Sequence, residues 1–202
     1  MNTPELRTER LILRKFEEED LKAIYEIYSD IEVNRFLPWF PVRTMTEAKK
    51  IYEERFQCRY HQQRAYNYAI CLKEDNYPIG YLNIEMSGSY DLGYGLRKEF
   101  WNKGIVTEAG RAAIEQLRKD GIPYLTATHD VNNPASGRVM EKLGMKYQYS
   151  YEEQWQPKDM PVIFRMYQRN LDGQNDRVYQ RYWDESRVHF IENIEGQQKE
   201  SL

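Results

Sequence analysis

The chain is poor in the residues that staple or metallate small folds. Of 202 residues only two are cysteines, Cys58 and Cys71, and they form no C-x-x-C pair. Neither a disulfide framework nor a thiolate metal site is therefore expected, and both are read as reduced, partly buried thiols. The three histidines, His61, His129 and His189, are scattered and no H-E-x-x-H occurs, so no metal is assigned. No apolar run approaches the ~18 residues that a membrane span needs. The opening MNTPELRTERL is charged and lacks an apolar stretch, which gives no signal peptide and sets the expectation of a cytoplasmic protein without a membrane partner. Basic residues are not in excess: 29 Lys and Arg against 32 Asp and Glu leave a net charge of −3, which argues against a general nucleic-acid binder. Familiar nucleotide and hydrolase motifs are missing as well. GYG at Gly93–Gly95 starts a G-x-G-x-x-G, but Lys98 stands where the third glycine belongs; neither G-x-x-x-x-G-K-[ST] nor G-x-S-x-G is present.

What is present is the composition of a globular protein, 41% hydrophobic and 30% charged. Its length suits one domain, expected over residues 1–171, followed by an extension over 172–202. Strand patterns occur at RLILRKF, AYNYAICLK, IGYLNIEMS, SYDLGYGLR and YLTATHDV, and again in two late runs, MKYQYSYEEQW and MPVIFRMYQRNL. Helical spacing occurs after EEED, after a cap at Thr46, over about 104–119, and in NPASGRVMEKLG, which ends at Gly144. The order is β-α-α-β-β-β-α-β-α-β-β. It predicts an α+β fold with a mixed, mostly antiparallel sheet of about seven strands, flanking helices and one parallel pair joined by a right-handed crossover. In the extension, Tyr179, Tyr182, Trp183, Phe190 and Ile194 could line a helix docked on the domain or on a second copy, with GQQKESL frayed at the end. Monomer and homodimer both stay open.

The stretch EFWNKGIVTEAGRAAIEQL places Asn102, Lys103 and Gly104 where a helix begins. An N-cap explains this. So does an anion cradle, because the first N–H groups of a helix are unpaired and a glycine lets an anion come close to them. Arg97, Lys98 and Lys103 add positive charge nearby.

Three separated segments, LRTERLILRKFEEEDL, LGYGLRKEFWNKGIVTEA and NNPASGRVMEKLGM, resemble in order and spacing the GNAT N-acetyltransferases of the RimJ/RimL-like branch, over roughly residues 5–170. The resemblance implies a GNAT fold in which two parallel strands splay, acetyl-CoA as cosubstrate, no metal, and transfer to a primary amine of a protein N-terminus or a small molecule by direct attack in a ternary complex. It assigns the pyrophosphate to the loop Trp101, Asn102, Lys103, Gly104, Ile105, Val106 and Thr107. Trp101 stands where the family has Gln or Arg, and Val106 where it has Gly or Ala. It also assigns the pantetheine arm to backbone around Leu96 and Arg97, with Asn133 and Ser136 matching an Asn-x-x-Ser at the next helix start; simple capping equally explains Asn133.

Three chemical jobs follow from that resemblance: a base for the ammonium, a backbone N–H near Leu96 for the oxyanion, and an acid for the departing thiolate. The family's tyrosine acid is replaced by Met140, which leaves Ser136 as the substitute. The base candidates are Glu85, Glu153 and, behind them, Asp91; Trp155 stands where the branch has a carboxylate. His129 reads as structural. Transfer of a different acyl group, or a non-catalytic acyl-CoA-binding or regulatory module, are the alternatives.

Overall fold

A computed structural model describes residues 2–194. The chain forms two antiparallel sheets rather than one. The first has the order β1 (Leu6–Arg7), β2 (Leu11–Arg14), β3 (Tyr66–Leu72), β4 (Pro78–Ile84) and β5 (Leu92–Leu96). The second has the order β6 (Tyr124–Asp130), β8 (Met160–Asn170), β7 (Lys146–Trp155) and β9 (His189–Phe190). The seven expected strands are all present. β1 and β9 are additions, each of two residues and too short to leave a period-2 signal.

The expected parallel pair is β5 and β6, and it is almost entirely open. One parallel bridge, Asp91 to Thr126, joins the two sheets, with the Thr126 N–H donating to the Tyr90 carbonyl at 3.2 Å. Beyond that bridge the strands part, so the molecule has a splay in the middle of its strand array.

Helices cover both faces. On one face α4 (Ile105–Lys119) and α5 (Pro134–Lys142) bury Ala109, Ala113, Leu117 and Met140 against Tyr68, Ile70, Leu82 and Leu125. On the other, α1 (Leu21–Ser29) and α2 (Met45–Ile51) bury Ile24, Ile27 and Ala48 with Ala69 and Cys71. β3 is buried on both sides for this reason, and its sequence, YNYAICL, is apolar at nearly every position. Thr44 caps α2, not Thr46: its hydroxyl accepts from the Glu47 N–H at 3.2 Å while Glu47 returns the bond to the Thr44 N–H at 3.3 Å. The helix runs on through a π-helical stretch, Tyr52–Gln57, into α3 (Cys58–Tyr60). The two thiols differ: Cys58 is exposed, whereas Cys71 is fully buried and its pKa is pushed up to about 12 by burial.

The extension is not one helix. It holds a short α6 (Arg181–Glu185) and then β9, whose His189 and Phe190 pair with Tyr151 and Ser150 of β7. Phe190 therefore sits in a strand, while Tyr179, Tyr182 and Trp183 pack on Tyr149, Tyr151 and Phe164. The expected frayed end lies outside the described residues. No helix among the described residues is long and apolar enough to cross a membrane.

Candidate functional site

The loop into α4 has left-handed backbone at two places: Asn102 has φ +59° and Gly104 has φ +73°. A β-carbon at Gly104 would meet only the Arg10 guanidinium, at 3.7 Å, so the glycine answers to backbone conformation and not to crowding. Gly104 is the N-cap of α4, and the Ile105, Val106 and Thr107 N–H groups open the helix without intrahelical partners. Ile105 and Thr107 turn their side chains into the protein, so this end of α4 presents backbone. Of the three basic residues beside the loop, Arg97 pairs with Glu26 at 2.9 Å and Glu99 at 2.5 Å, and Lys98 with Asp30 at 3.4 Å. Lys103 is exposed over the Phe100 ring and forms no ion pair among the described residues. A groove of about 550 Å³ runs from Gly104 past Arg10, Arg111 and Lys142.

The N–H groups of a strand alternate in direction. The Arg97 N–H donates to Ile79 and the Asp91 carbonyl accepts from Glu85, so the odd positions of β5 face β4. The backbone of Tyr94 and Leu96 therefore faces the splay. Two details alter the sequence reading. Arg97 has already spent its N–H within the sheet, and the Leu96 carbonyl accepts from the Trp101 indole Nε1 at 2.6 Å. The Tyr94 and Leu96 N–H groups are what this strand offers to the gap.

At the far side of the gap α5 begins with Asn133, whose side chain accepts from the Ser136 N–H at 3.4 Å, and with Pro134. Capping is thus its observed part. The Ser136 hydroxyl lies 2.7 Å from the hydroxyl of Tyr94, which also donates to the Ser136 carbonyl at 3.0 Å. Burial raises the Tyr94 phenol, so it stays protonated near neutral pH. Met140 is buried in the core. The sequence reading overlooked Tyr94. Its only cue was a tyrosine set between Gly93 and Gly95 on a strand leading to the loop.

The three candidate carboxylates come into one neighbourhood at the closed end of the splay. Glu85 follows β4 and is held by Arg59 at 3.1 Å. Asp91 precedes β5, accepts from the Thr126 hydroxyl at 3.1 Å, and has no cationic partner among the described residues. Its pKa is raised to about 6, first by burial and then by the charges of Glu85 and Glu153. Glu153 lies on β7 and is itself raised by burial, with the Tyr151 hydroxyl opposing the shift. Trp155 is core, its ring tilted at 46° against Phe164. His129 is buried, its pKa is lowered by burial, its Nδ1 lies 2.8 Å from the Asp130 carbonyl, and its Nε2 is set against Gly137. That Nε2 is buried and has no hydrogen-bond partner among the described residues. A second cavity, of about 400 Å³, opens over Asp91 and Glu85 and is walled by Tyr179, Arg181 and Tyr182 of the extension. No cluster of three metal-binding side chains occurs among the described residues.

Comparisons with known proteins bear on the family and the fold. Residues 10–146 match the family model of the acetyltransferase (GNAT) domain. The uncharacterized N-acetyltransferase YnaD of Bacillus subtilis (strain 168) is 30% identical over 145 residues, 70% of this chain and 82% of the relative. The [ribosomal protein uS5]-alanine N-acetyltransferase of Escherichia coli (strain K12) is 28% identical over 178 residues, 80% of this chain and 86% of the relative. The solved structure of RimL, a ribosomal L7/L12 alpha-N-protein acetyltransferase in complex with coenzyme A, superposes with a TM-score of 0.71 at 20% identity. It covers 84% of this chain and 99% of its own, so what it leaves uncovered is about as long as residues 172–202.

Proposed function

The chain belongs to the GNAT acetyltransferase family, and from that premise we propose that it acetylates a primary amine in a ternary complex, with Asp91 as general base and the Tyr94–Ser136 pair as the leaving-group donor. The splay carries this reading. It is a gap between parallel strands with the Tyr94 and Leu96 N–H groups along one side, a proton-holding hydroxyl pair at the α5 end, and an unpaired carboxylate at its closed end.

Coenzyme A fits the residues present. The left-handed Asn102 and Gly104, the first N–H groups of α4 and Lys103 would hold its pyrophosphate, and the Tyr94 and Leu96 backbone would hold its pantetheine arm. When bound as acetyl-CoA it supplies the thioester. Asp91, ionised above about pH 6, takes the proton of the ammonium, directly or through one water, and frees the nitrogen lone pair. The amine forms its bond to the acetyl carbon as the carbon–sulfur bond breaks. The strand N–H groups donate to the carbonyl oxygen while it carries charge. The Ser136 hydroxyl, backed by Tyr94, donates a hydrogen bond to the sulfur as it leaves as thiolate, and the second proton that the nitrogen sheds on becoming an amide passes to that thiolate or to solvent. A base placed at Asp91 is favoured over Glu85, which Arg59 holds, and over Glu153, which lies on β7 outside the lining of the cavity over Asp91. A tyrosine hydroxyl beside Ser136 weakens one of the two grounds for a non-catalytic module, the tyrosine replaced by Met140, the other being the uncertain base.

Two measurements test this. Thermal unfolding with acetyl-CoA, CoA and NAD titrated separately is expected to rise with both CoA species only, by roughly 2.7 kcal/mol at about 100 times the dissociation constant. Release of CoA thiol is then followed over a panel of primary amines, with Asp91→Asn as control. A folded protein without a CoA-dependent shift, or an Asp91→Asn variant of full activity, would overturn the proposal.

A further inference from the structure

The segment after residue 171 stands outside the part of the chain that the family model matches, yet it closes a cavity over the base proposed above. Tyr182 carries that closure. Its ring stacks on Tyr151 at 5.2 Å and 13°, Tyr151 stacks in turn on Phe164 at 5.6 Å, and Tyr182 lines the same cavity as Asp91 and Ser89. Tyr179 meets the Tyr182 ring edge-on at 5.1 Å.

The wall is fastened at both ends. Before α6, the Tyr179 N–H donates to the Gln168 side chain at 2.7 Å and its carbonyl accepts from the Tyr149 hydroxyl at 2.7 Å. After α6, the Glu152 N–H donates to the Val188 carbonyl at 2.9 Å, β9 pairs with β7, and Arg165 grips Glu192 through its Nε at 3.0 Å. A segment fixed at so many points, by backbone as well as side chains, is a wall and not a loose flap.

Its charge is equally defined. Arg181 is satisfied by Glu185 at 2.7 Å and Glu85 by Arg59 at 3.1 Å, while Asp91 stands uncompensated on the cavity floor. One ammonium group would match that floor, and aromatic rings would flank the carbon chain behind it. The extension supplies Tyr179, Arg181, Tyr182 and Glu185 to the lining of this cavity, so a polypeptide N-terminus would have to run past these side chains.

We infer that the C-terminal extension is the specificity wall of the acceptor site, with Tyr182 as its selecting residue, and that the acceptor is a compact primary amine on a slender chain and not a polypeptide N-terminus. This rests on the acetyl-transfer reading for the position of the acceptor.

Calorimetric titration of the CoA-saturated protein tests it without requiring turnover. The probes are n-butylamine and a tetrapeptide amide with a free N-terminus. The wild type is expected to bind butylamine at least about tenfold more tightly than the peptide. Tyr182→Ala should weaken butylamine about tenfold and bring the two probes within about threefold of each other, with the thermal shift on CoA retained; Tyr182→Phe should keep the wild-type ratio. Tyr182→Leu, which keeps apolar contact with Tyr151, replaces the alanine variant should that one not fold, and should narrow the ratio to a smaller extent. Equal or tighter peptide binding by the wild type, or a ratio unmoved in the folded alanine or leucine variant, overturns the wall. Release of CoA from acetyl-CoA is measured on the same two probes. Selective butylamine binding without any release would sink acetyl transfer and leave the wall standing. Release on both probes with a ratio that Tyr182→Ala does not change would sink the wall and leave acetyl transfer standing.

Discussion

The hydroxyl of Tyr94 and the hydroxyl of Ser136 lie 2.7 Å apart, from residues 42 positions apart in the chain. One sits on the last strand of the first sheet and the other on the first turn of α5, so the bond spans the splay. Two hydroxyls in series act as one donor. Tyr94→Phe and Ser136→Ala are each expected to lower kcat by about 10–100-fold, and the double variant to fall little below the worse single one, as groups acting as a unit do. Steady-state CoA release gives the three values; additive losses would separate the two roles.

Asp91 sets a pH dependence whose sign follows from its raised pKa. A general base works ionised, so kcat/KM should rise through about pH 6 and level off above it, and Asp91→Asn should erase that limb along with most of the activity.

The same shift acts oppositely on stability. The folded state favours the protonated carboxyl more than the unfolded chain does. That stabilising contribution is complete below the unfolded carboxyl pKa near 3.9 and is lost as pH rises through about 6. At pH 7.5 the ionised group is a burden, and Asp91→Asn should raise stability by about 1–2 kcal/mol, read as Tm with and without the substitution at pH 4.5 and 7.5. The gain should be clearly smaller at the lower pH and vanish only below the unfolded carboxyl pKa.

Gly104 tests the anion cradle. Gly104→Glu sets a side chain in a left-handed backbone position and a carboxylate at the first turn of α4. Strain of about 1 kcal/mol is expected in Tm. Acetyl-CoA affinity should drop by at least about tenfold, which calorimetry would register. Unchanged affinity in the folded variant would place the pyrophosphate elsewhere.

Far from the site, Arg14 is held by both carboxylate oxygens of Asp20, at 2.6 and 3.0 Å, with both side chains mostly buried. Asp20 also accepts the Glu17 N–H at 2.9 Å. Asp20→Ala leaves a buried guanidinium unmatched and should cost about 3 kcal/mol in denaturant unfolding, without altering the KM for acetyl-CoA.

The legible parts of this protein were those made locally. Glycine at Gly104 with apolar positions every three or four residues announced α4, and Asn133-Pro134 announced α5. Crossings of the splay left no local mark. Nothing near Tyr94 tells of Ser136, and Asp91 ranked behind Glu85 and Glu153 because its isolation from cations is a property of the folded neighbourhood. The extension misled for a related reason. Its aromatics suggested a helix stripe, but they are spaced to meet Tyr149, Tyr151 and Phe164 of the second sheet, and the chain turns back as β9 to do so.

The single Asp91–Thr126 bridge has a mechanical consequence. The facing strands of the two plates share one backbone bridge, side-chain bonds such as Tyr94–Ser136 and Thr126–Ser89 add stitches, and the rest of the seam is left for a ligand. Whatever fills the gap carries load between the plates, and the molecule should become stiffer as a whole, not only where it is touched. In amide exchange this would show as slowing at Leu96 on one plate and at β6 on the other, in step, upon addition of CoA alone.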